Sequence, residues 1–328
     1  MDKISLVLTL KINAYPLGSD LERAKKILLP SLAKYFDLSQ ISRFWIIVPA
    51  DEQEQIAREL WEFRDRLKIT IKNEETLLKS VPGWTRDRIV HGMMRGLGRI
   101  VRKLNGEGLL SEYLRPRDGW HSLNGWRRQQ ILKILAARLV DTDYFLIVDS
   151  DLCLMRPANL KTIFPDGKAL FGRDRLKTQY DWWAGAARVL GISLKLGPED
   201  EVISVTPQVL VTSVVNRLMD YLMSKAREKG ARTLLEYLSQ NGPWTEYTLY
   251  WLFLLEFCEK GDHYSDQRQG YALHAGGSVW YREQASDARV LRDRIDSAFR
   301  RDDSLFLVVQ SACIPLSEYY EAVRGHLS

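Results

Sequence analysis

Two aspartates separated by one serine, Asp149 and Asp151, follow directly on a short apolar run, Phe145–Val148. Such a run predicts a buried strand, and in an open α/β sheet ligands bind beyond the carboxyl ends of the strands. Carboxylates at positions i and i+2 can converge on one ion there, and their oxygens suit Mg²⁺ or Mn²⁺. Such an ion can bridge the phosphates of a nucleotide diphosphate. The alternative is a solvated turn, in which Asp and Ser are also common.

The elements that must position this pair alternate between strands and helices. Apolar runs predict strands, and amphipathic periodicity predicts helices between them. The expected strands are Ile4–Ile12, Arg43–Val48, Leu67–Ile71 and Tyr144–Val148, and the expected helices are Asp20–Phe36, Ala50–Phe63 and Trp126–Val140. This alternation predicts an α/β fold with a mostly parallel sheet and helices on both faces. Later segments read mainly as helices, and no repeat or Pro/Gly/Ser linker divides the chain, so one domain over residues 1–328 is expected.

Composition narrows the class of protein. The chain has 328 residues, 45% of them apolar and 27% charged, which excludes an intrinsically disordered protein. The net charge of +5 favours anionic partners such as phosphates or acidic lipid headgroups without requiring them. Three widely spaced cysteines fit a reducing compartment. With no signal-peptide layout at the start and no apolar run near the roughly 20 residues that span a bilayer, we expect a cytoplasmic protein.

The segment Trp126–Pro157 resembles the GT-A superfamily of glycosyltransferases, with bacterial polysaccharide-type transferases the nearest group. In these enzymes a helix with an inward lysine precedes the strand that delivers a metal-binding Asp-x-Asp motif. The resemblance implies a Rossmann-like GT-A fold, with residues 1–175 binding a nucleotide sugar and residues 176–328 binding the acceptor. It also implies Mn²⁺ or Mg²⁺ on Asp149 and Asp151, Asp151 being counted as catalytic. The reaction implied is sugar transfer from a nucleotide-diphosphate sugar, UDP-sugar first, to a glycan or lipid-linked acceptor.

The same resemblance implies a third metal ligand far downstream. In the glycogenin-like and galactosyltransferase group this ligand is a His followed by glycines, and His274-Ala275-Gly276-Gly277 has that form. A His nitrogen is a ligand that Mn²⁺ accepts, and Gly276 and Gly277 would let the backbone approach a pyrophosphate closely. The Lys-Pro-Trp tail of that group is absent, so a retaining or inverting outcome stays open. A packed His beside a Gly-rich turn is the alternative.

Two further residues belong to the expected acceptor side. Glu246 follows Pro243 in a pattern typical of a helix start, where GT-A enzymes often place an acid that faces the acceptor. It is expected to deprotonate the acceptor in an inverting reaction, or to bind the acceptor or stabilise positive charge in a retaining one. Helix capping is an equal alternative. Gln208 lies in a segment, 206–209, that resembles the acceptor-side strand and is expected to make a polar contact.

Other candidates face the donor. Lys133 shares a helical face with Gln129 and can reach a donor phosphate or an aspartate of the pair. Arg173 follows a strand-like segment and is a candidate for contacting sugar hydroxyls. Thr9, Lys11 and Tyr15 lie where GT-A folds hold uracil and ribose, and Tyr15 can stack on the base. Solvated faces and turn packing are the alternatives.

A basic amphipathic segment, 86–104, carries six Arg and Lys residues beside an apolar stripe. It is a candidate for peripheral contact with an anionic inner membrane, although such stripes more often pack on the protein's own sheet. Competing functions are a metal-dependent phosphodiesterase or nuclease, which usually has more carboxylates and His residues, and a non-catalytic membrane or nucleic-acid adaptor. The adaptor leaves the aspartate pair unexplained, and no nucleic-acid partner is expected.

Overall fold

The computed structural model describes residues 2–12, 18–82, 84, 125–172, 174–175, 179–197, 200–202, 206–265, 272–274, 277–300 and 304–327. The strands in this part of the chain are β1 Ile4–Thr9, β2 Ile41–Val48, β3 Ile69–Asn73, β4 Tyr144–Ile147, β5 Leu152–Leu154, β6 Asp174–Arg175, β7 Glu201–Val202, β8 Gln208–Val211, β9 Ala272–His274 and β10 Ser304–Val308. The helices are α1 Asp20–Arg23, α2 Leu29–Tyr35, α3 Gln53–Glu59, α4 Trp61–Arg64, α5 Glu74–Leu78, α6 Gly125–Leu135, α7 Leu160–Ile163, α8 Tyr180–Leu190, α9 Thr212–Glu228, α10 Leu234–Gln240, α11 Glu246–Phe257, α12 Ala288–Arg300 and α13 Leu316–Leu327.

The main sheet has five strands in the order β3-β2-β1-β4-β8. Strands β1 to β4 pair in parallel, and β8 runs antiparallel to β4. The predicted α/β class with a mostly parallel sheet is therefore confirmed. Because β1 to β4 are parallel, their carboxyl ends share one edge of the sheet, which we call the carboxyl edge. The amino end of β8 lies at this edge too, since Gln208 pairs with Ile147.

Both faces of the sheet are covered. All six residues of β1 are buried, with Ile4, Leu6 and Leu8 on one face and Ser5, Val7 and Thr9 on the other. Each fully buried aliphatic side chain contributes about 1.5–3 kcal/mol, so the central strands are fixed firmly. The carboxyl edge is thus a rigid support for side chains that follow the strands.

A second, three-stranded sheet carries the chain away from the carboxyl edge. Its order is β5-β10-β9, with β10 antiparallel to β5 and parallel to β9. Strand β5 begins one residue after Asp151, and Leu152 pairs with Val308. A separate hydrophobic core, which includes Ile27, Leu291 and Tyr319, packs α12 and α13 against this sheet. The aspartate pair therefore lies at the junction of the two sheets.

Several predicted boundaries shift. The helix expected at Asp20–Phe36 is continuous but contains a π-helical segment, Ala24–Leu28, between α1 and α2. The helix expected at Ala50–Phe63 is divided at Leu60, and the expected strand Leu67–Ile71 is Ile69–Asn73 because residues 65–68 form a turn. Among the described helices, none combines the length and the apolar composition that a membrane span requires. The basic segment 86–104 lies outside the described residues, so its membrane contact stays a prediction.

Candidate functional site

The aspartate pair lies at the carboxyl edge, as expected. The amide of Val148 still donates to the carbonyl of Val7 at 2.9 Å, which makes Asp149 the first residue beyond the pairing of β4. The Asp149 side chain is 27% exposed, whereas Asp151 is buried at 6% exposure. Between them, the Ser150 hydroxyl donates to Oδ1 of Asp20 at 3.2 Å. One carboxylate of the pair therefore faces outward and the other lies inside.

Asp149 is held by a buried lysine. Nζ of Lys133 lies 2.7 Å from Oδ1 of Asp149 and 2.8 Å from Oε1 of Glu246. Helix α6 directs Lys133 inward together with Gln130, one turn earlier, and Oε1 of Gln130 accepts the Glu246 amide at 3.2 Å. One helix face thus connects the end of β4 to the start of α11.

Electrostatics keep this lysine charged. Burial favours its neutral form, yet the carboxylates of Asp149 and Glu246 raise the pKa of Lys133 well above its ordinary value. Burial raises the pKa of Glu246, against the lowering influence of Lys133. Oε2 of Glu246 accepts no hydrogen bond from a described residue. The single, 4% exposed ammonium therefore bridges the buried carboxylate of Glu246 and the partly exposed carboxylate of Asp149.

Asp151 is held by the chain that follows β10. Its Oδ2 accepts the Ser311 amide at 3.2 Å, while Oδ1 is buried and accepts no hydrogen bond from the described residues. Burial and then the neighbouring charge of Asp149 raise the pKa of Asp151 to about 7. Arg23 and the Ser311 amide oppose this shift, and Asp20 adds to it. A divalent cation would stabilise a buried carboxylate oxygen that has no hydrogen-bond partner among the described residues and lies beside a second carboxylate.

Other predicted residues gather at the same edge. Thr9 ends β1 with a buried hydroxyl that has no hydrogen-bond partner among the described residues. Nζ of Lys11 lies near the start of α6, 3.1 Å from the position that a Cβ on Gly125 would take. Burial raises the pKa of Asp20, and the charge of Lys11 opposes part of this rise. Gln208 is fully buried beside Ile147.

His274 lies on β9 opposite Phe306, and its ring is 6.3 Å from the ring of Trp280. It packs on Gly172, where an added Cβ would come within 2.6 Å of Nδ1 of His274 and 3.7 Å of Nε2 of Gln208. Among the residues described, no three or more His, Cys, Asp or Glu side chains form a group that can hold a metal. The structure thus places His274 and Gln208 beside the same glycine, but in the described residues it does not assemble His274 with the aspartate pair into such a group.

Gly277 faces the protein interior. An added Cβ would lie 3.3 Å from Cβ of Ala298, and the Gly277 carbonyl accepts Nε of Arg294 at 2.9 Å. Its place is therefore against α12, where close packing requires a small residue. Tyr15, Arg173 and Gly276 lie outside the described residues, and the expectations for them stay predictions.

Sequence reasoning missed Asp20, Arg23 and Ser311. Asp20 and Arg23 are both buried, and they share a helical face with the fully buried Ile27. Two charged residues on an apolar face are a signal that could have marked them as internal. Ser311 contributes only its backbone amide to Asp151, so its residue type gave no signal.

Across residues 1–326 the chain matches the model of a protein family described as "Family of unknown function (DUF6492)", and the chain belongs to this family. Among curated proteins, none matches.

Three of the solved structures to which the chain is similar match it over nearly its whole length, at low identity. Mouse xyloside xylosyltransferase 1 in its apo form has 10% identity and a TM-score of 0.46, over 95% of this chain and 99% of that one. The galactosyltransferase LgtC, in complex with donor and acceptor sugar analogs, has 11% identity and a TM-score of 0.48, over 98% and 96%. The apo-form glycosyltransferase GlyE of Streptococcus pneumoniae TIGR4 has 12% identity and a TM-score of 0.38, over 99% and 60%. Scores this low do not by themselves assign an activity.

Proposed function

We propose that the protein is a metal-dependent glycosyltransferase that moves a sugar from a nucleotide-diphosphate sugar, UDP-sugar first, to a glycan or lipid-linked acceptor. The observation that carries this proposal is the pair Asp149 and Asp151 just beyond β4, at the carboxyl edge of a mostly parallel sheet. Ligands of such sheets bind at this edge. The resemblance of the segment Trp126–Pro157 to GT-A enzymes supports the same assignment.

The two carboxylates fit Mn²⁺ or Mg²⁺. Asp151 offers a buried oxygen with no hydrogen-bond partner among the described residues, and Asp149 is partly exposed beside it. Oxygen ligands of this kind suit either cation. When bound, the ion neutralises the charge that develops on the leaving nucleotide diphosphate. His274 as a further ligand stays a prediction.

Lys133 and Glu246 orient the pair. The Lys133 ammonium fixes Oδ1 of Asp149, and Glu246 fixes the ammonium. Since the Glu246 side chain is only 1% exposed, the geometry favours a role in holding Lys133. The role expected of Glu246 as the base that deprotonates the acceptor stays a prediction, which Glu246→Gln tests by its effect on transfer relative to donor hydrolysis.

The donor side is proposed to include Thr9 and Lys11, and Gln208, expected to make a polar contact on the acceptor side, borders the same edge. Thr9 and Gln208 border the carboxyl edge from the two strands that flank β4. Lys11 adds a positive charge beyond the end of β1, where an anionic phosphate gains most from it. These three side chains are suited to hydroxyl and phosphate groups, and Arg173 and Tyr15 stay predicted contacts of the sugar and of the base.

A thermal-shift screen tests the donor class. UDP-, GDP-, CMP- and dTDP-sugars are each added with Mn²⁺ and with EDTA, because a ligand that binds only the folded protein raises its melting temperature. The proposal expects one nucleotide to raise the melting temperature with Mn²⁺ and not with EDTA. A screen with no metal-dependent shift for any nucleotide sugar contradicts it.

A further inference from the structure

The orientation of Asp151 depends on chain about 160 residues downstream. The Ser311 amide donates to Oδ2 of Asp151 at 3.2 Å, across a sequence separation of 160 residues. The Val309 amide donates to the Asp151 carbonyl at 3.1 Å, and the Tyr319 hydroxyl donates to the same carbonyl at 3.5 Å. Both the backbone and one carboxylate oxygen of Asp151 are therefore placed by the residues that follow β10.

Arg23 reaches that same segment from the N-terminal part of the chain. Its side chain is fully buried, and Nη2 donates to the carbonyl of Ile314 at 2.5 Å and to that of Ser311 at 3.3 Å. We call the stretch Ser311–Ile314 the clasp turn. One planar guanidinium therefore contacts both ends of the turn whose first amide binds Asp151.

The charge of Arg23 also faces the site. Burial lowers the pKa of Arg23, and among the influences that oppose this the charge of Asp151 is the largest, ahead of Tyr319 and Asp20. A buried cation is costly, and backbone carbonyls alone could be satisfied by a neutral donor. The charges of the buried Asp151 and Asp20 carboxylates compensate this cost, which accounts for an arginine at position 23.

We propose that Arg23 is a positioning residue for the metal site: it holds the clasp turn so that the Ser311 amide fixes Oδ2 of Asp151 and leaves Oδ1 free for a divalent cation. This inference rests on the proposed function, since the orientation of Asp151 matters because it is a metal ligand. Residues that orient a ligand from outside the coordination sphere commonly change metal affinity by about 10–100-fold when they are replaced.

The test compares Arg23→Lys with Arg156→Lys. Lysine keeps the charge but replaces the planar guanidinium, whose Nη2 contacts both carbonyls, with a compact ammonium on a differently shaped side chain. Arg156 is a matched control, because it is also buried, at 8% exposure, and donates to a backbone carbonyl, that of Ala298 at 3.0 Å, at the end of α12. Hydrogen–deuterium exchange of the metal-free proteins measures how well the amides of the clasp turn are protected. Calorimetry with Mn²⁺ alone measures the affinity for the metal.

In Arg23→Lys, exchange of the amides at residues 309–314 should accelerate by at least about tenfold, as expected when a charge-assisted hydrogen bond is lost, while the amides of β1 and β2 stay protected. The dissociation constant for Mn²⁺ should rise by about tenfold. In Arg156→Lys the exchange of residues 309–314 and the dissociation constant for Mn²⁺ should both match the wild type. Arg23→Gln, which buries no charge, serves if the lysine variant does not fold.

Unchanged exchange at residues 309–314, or equal acceleration in the Arg156 variant, overturns the role of Arg23. A normal Mn²⁺ affinity in Arg23→Lys with a loosened clasp turn overturns the link to the metal. If the wild type itself binds no Mn²⁺, the proposed function fails at that point, and the exchange data alone decide whether Arg23 holds the turn.

Discussion

Nζ of Lys133 lies 2.7 Å from Oδ1 of Asp149, and the lysine side chain is only 4% exposed. The same ammonium lies 2.8 Å from Glu246, whose side chain is 1% exposed. This bridge joins α6, the loop after β4 and the start of α11. Removal of the Lys133 ammonium would leave the buried Glu246 carboxylate without a compensating charge and would release Asp149. Lys133 therefore affects both the stability of the protein and the geometry of the site.

Lys133→Met should therefore lower the free energy of unfolding by about 3–5 kcal/mol, the usual cost of leaving a buried charge unpaired. The double variant Lys133→Met/Glu246→Gln should recover a large part of this loss, because it removes the orphaned charge. Urea denaturation measures both. Lys195→Met is the control, since its pair with Glu256 at 3.4 Å is exposed and should change stability by at most about 1 kcal/mol. If the double variant lost as much stability as Lys133→Met, the unpaired Glu246 carboxylate would not be the cause of the loss.

The stability of the metal-free protein should depend on pH through Asp151. Burial and Asp149 raise the pKa of Asp151 from 3.8 to about 7, so between these values the folded state binds the proton that the unfolded state has released. Stability therefore falls as pH rises through this window, by at most about 1.4 kcal/mol per pH unit, and the contribution of Asp151 is constant above it.

Denaturation of the wild type and of Asp151→Asn at pH 5 and pH 8 measures this contribution as the difference between their slopes. The variant should show a smaller fall in stability than the wild type, because the part that remains comes from other buried acids such as Asp20 and Glu246. Parallel pH profiles for the two proteins would mean that Asp151 titrates at an ordinary pKa and is not buried beside a like charge.

Gly185 should be intolerant of any side chain. A Cβ added at this position in α8 would overlap the carbonyl of Pro243, just before α11. Gly185→Ala should destabilise the protein by about 1–3 kcal/mol through overpacking and displace the segment that presents Glu246. Gly325→Ala is the matched control, because Gly325 is also helical and nothing lies within 4 Å of its added Cβ. Alanine there should be neutral or stabilise by up to about 1 kcal/mol, and equal effects at both positions would argue against the packing of α8 on Pro243.

The sequence predicted those features that depend on local pattern. The apolar runs located β1, β2 and β4, and the Asp-Ser-Asp triplet was placed at the carboxyl edge because it follows directly on β4. The bridge of Lys133 to Glu246 spans 113 residues, and no local periodicity reports a pairing at that distance. Ser311 joins Arg23 to Asp151 through its backbone carbonyl and amide. Every residue type has these groups, so the sequence does not indicate the link. The order of the strands brings Lys133 to Glu246, and Arg23 and Ser311 to Asp151. The spacing of the strands along the sequence did not specify that order.

The central claim is that Asp149 and Asp151 hold the metal on which sugar transfer depends. The most direct test measures turnover of the nucleotide sugar found in the thermal-shift screen, with Mn²⁺ and with EDTA, for the wild type, Asp149→Asn, Asp151→Asn and Asp141→Asn. Asp141 is the control, because it lies just before β4, away from the carboxyl edge, and accepts the Ser5 and Ser42 hydroxyls, each at 3.2 Å. Activity should require Mn²⁺, persist in Asp141→Asn and be lost in both site variants while they remain folded. Turnover near the wild-type rate in folded Asp149→Asn or Asp151→Asn, or undiminished turnover in EDTA, would contradict the claim.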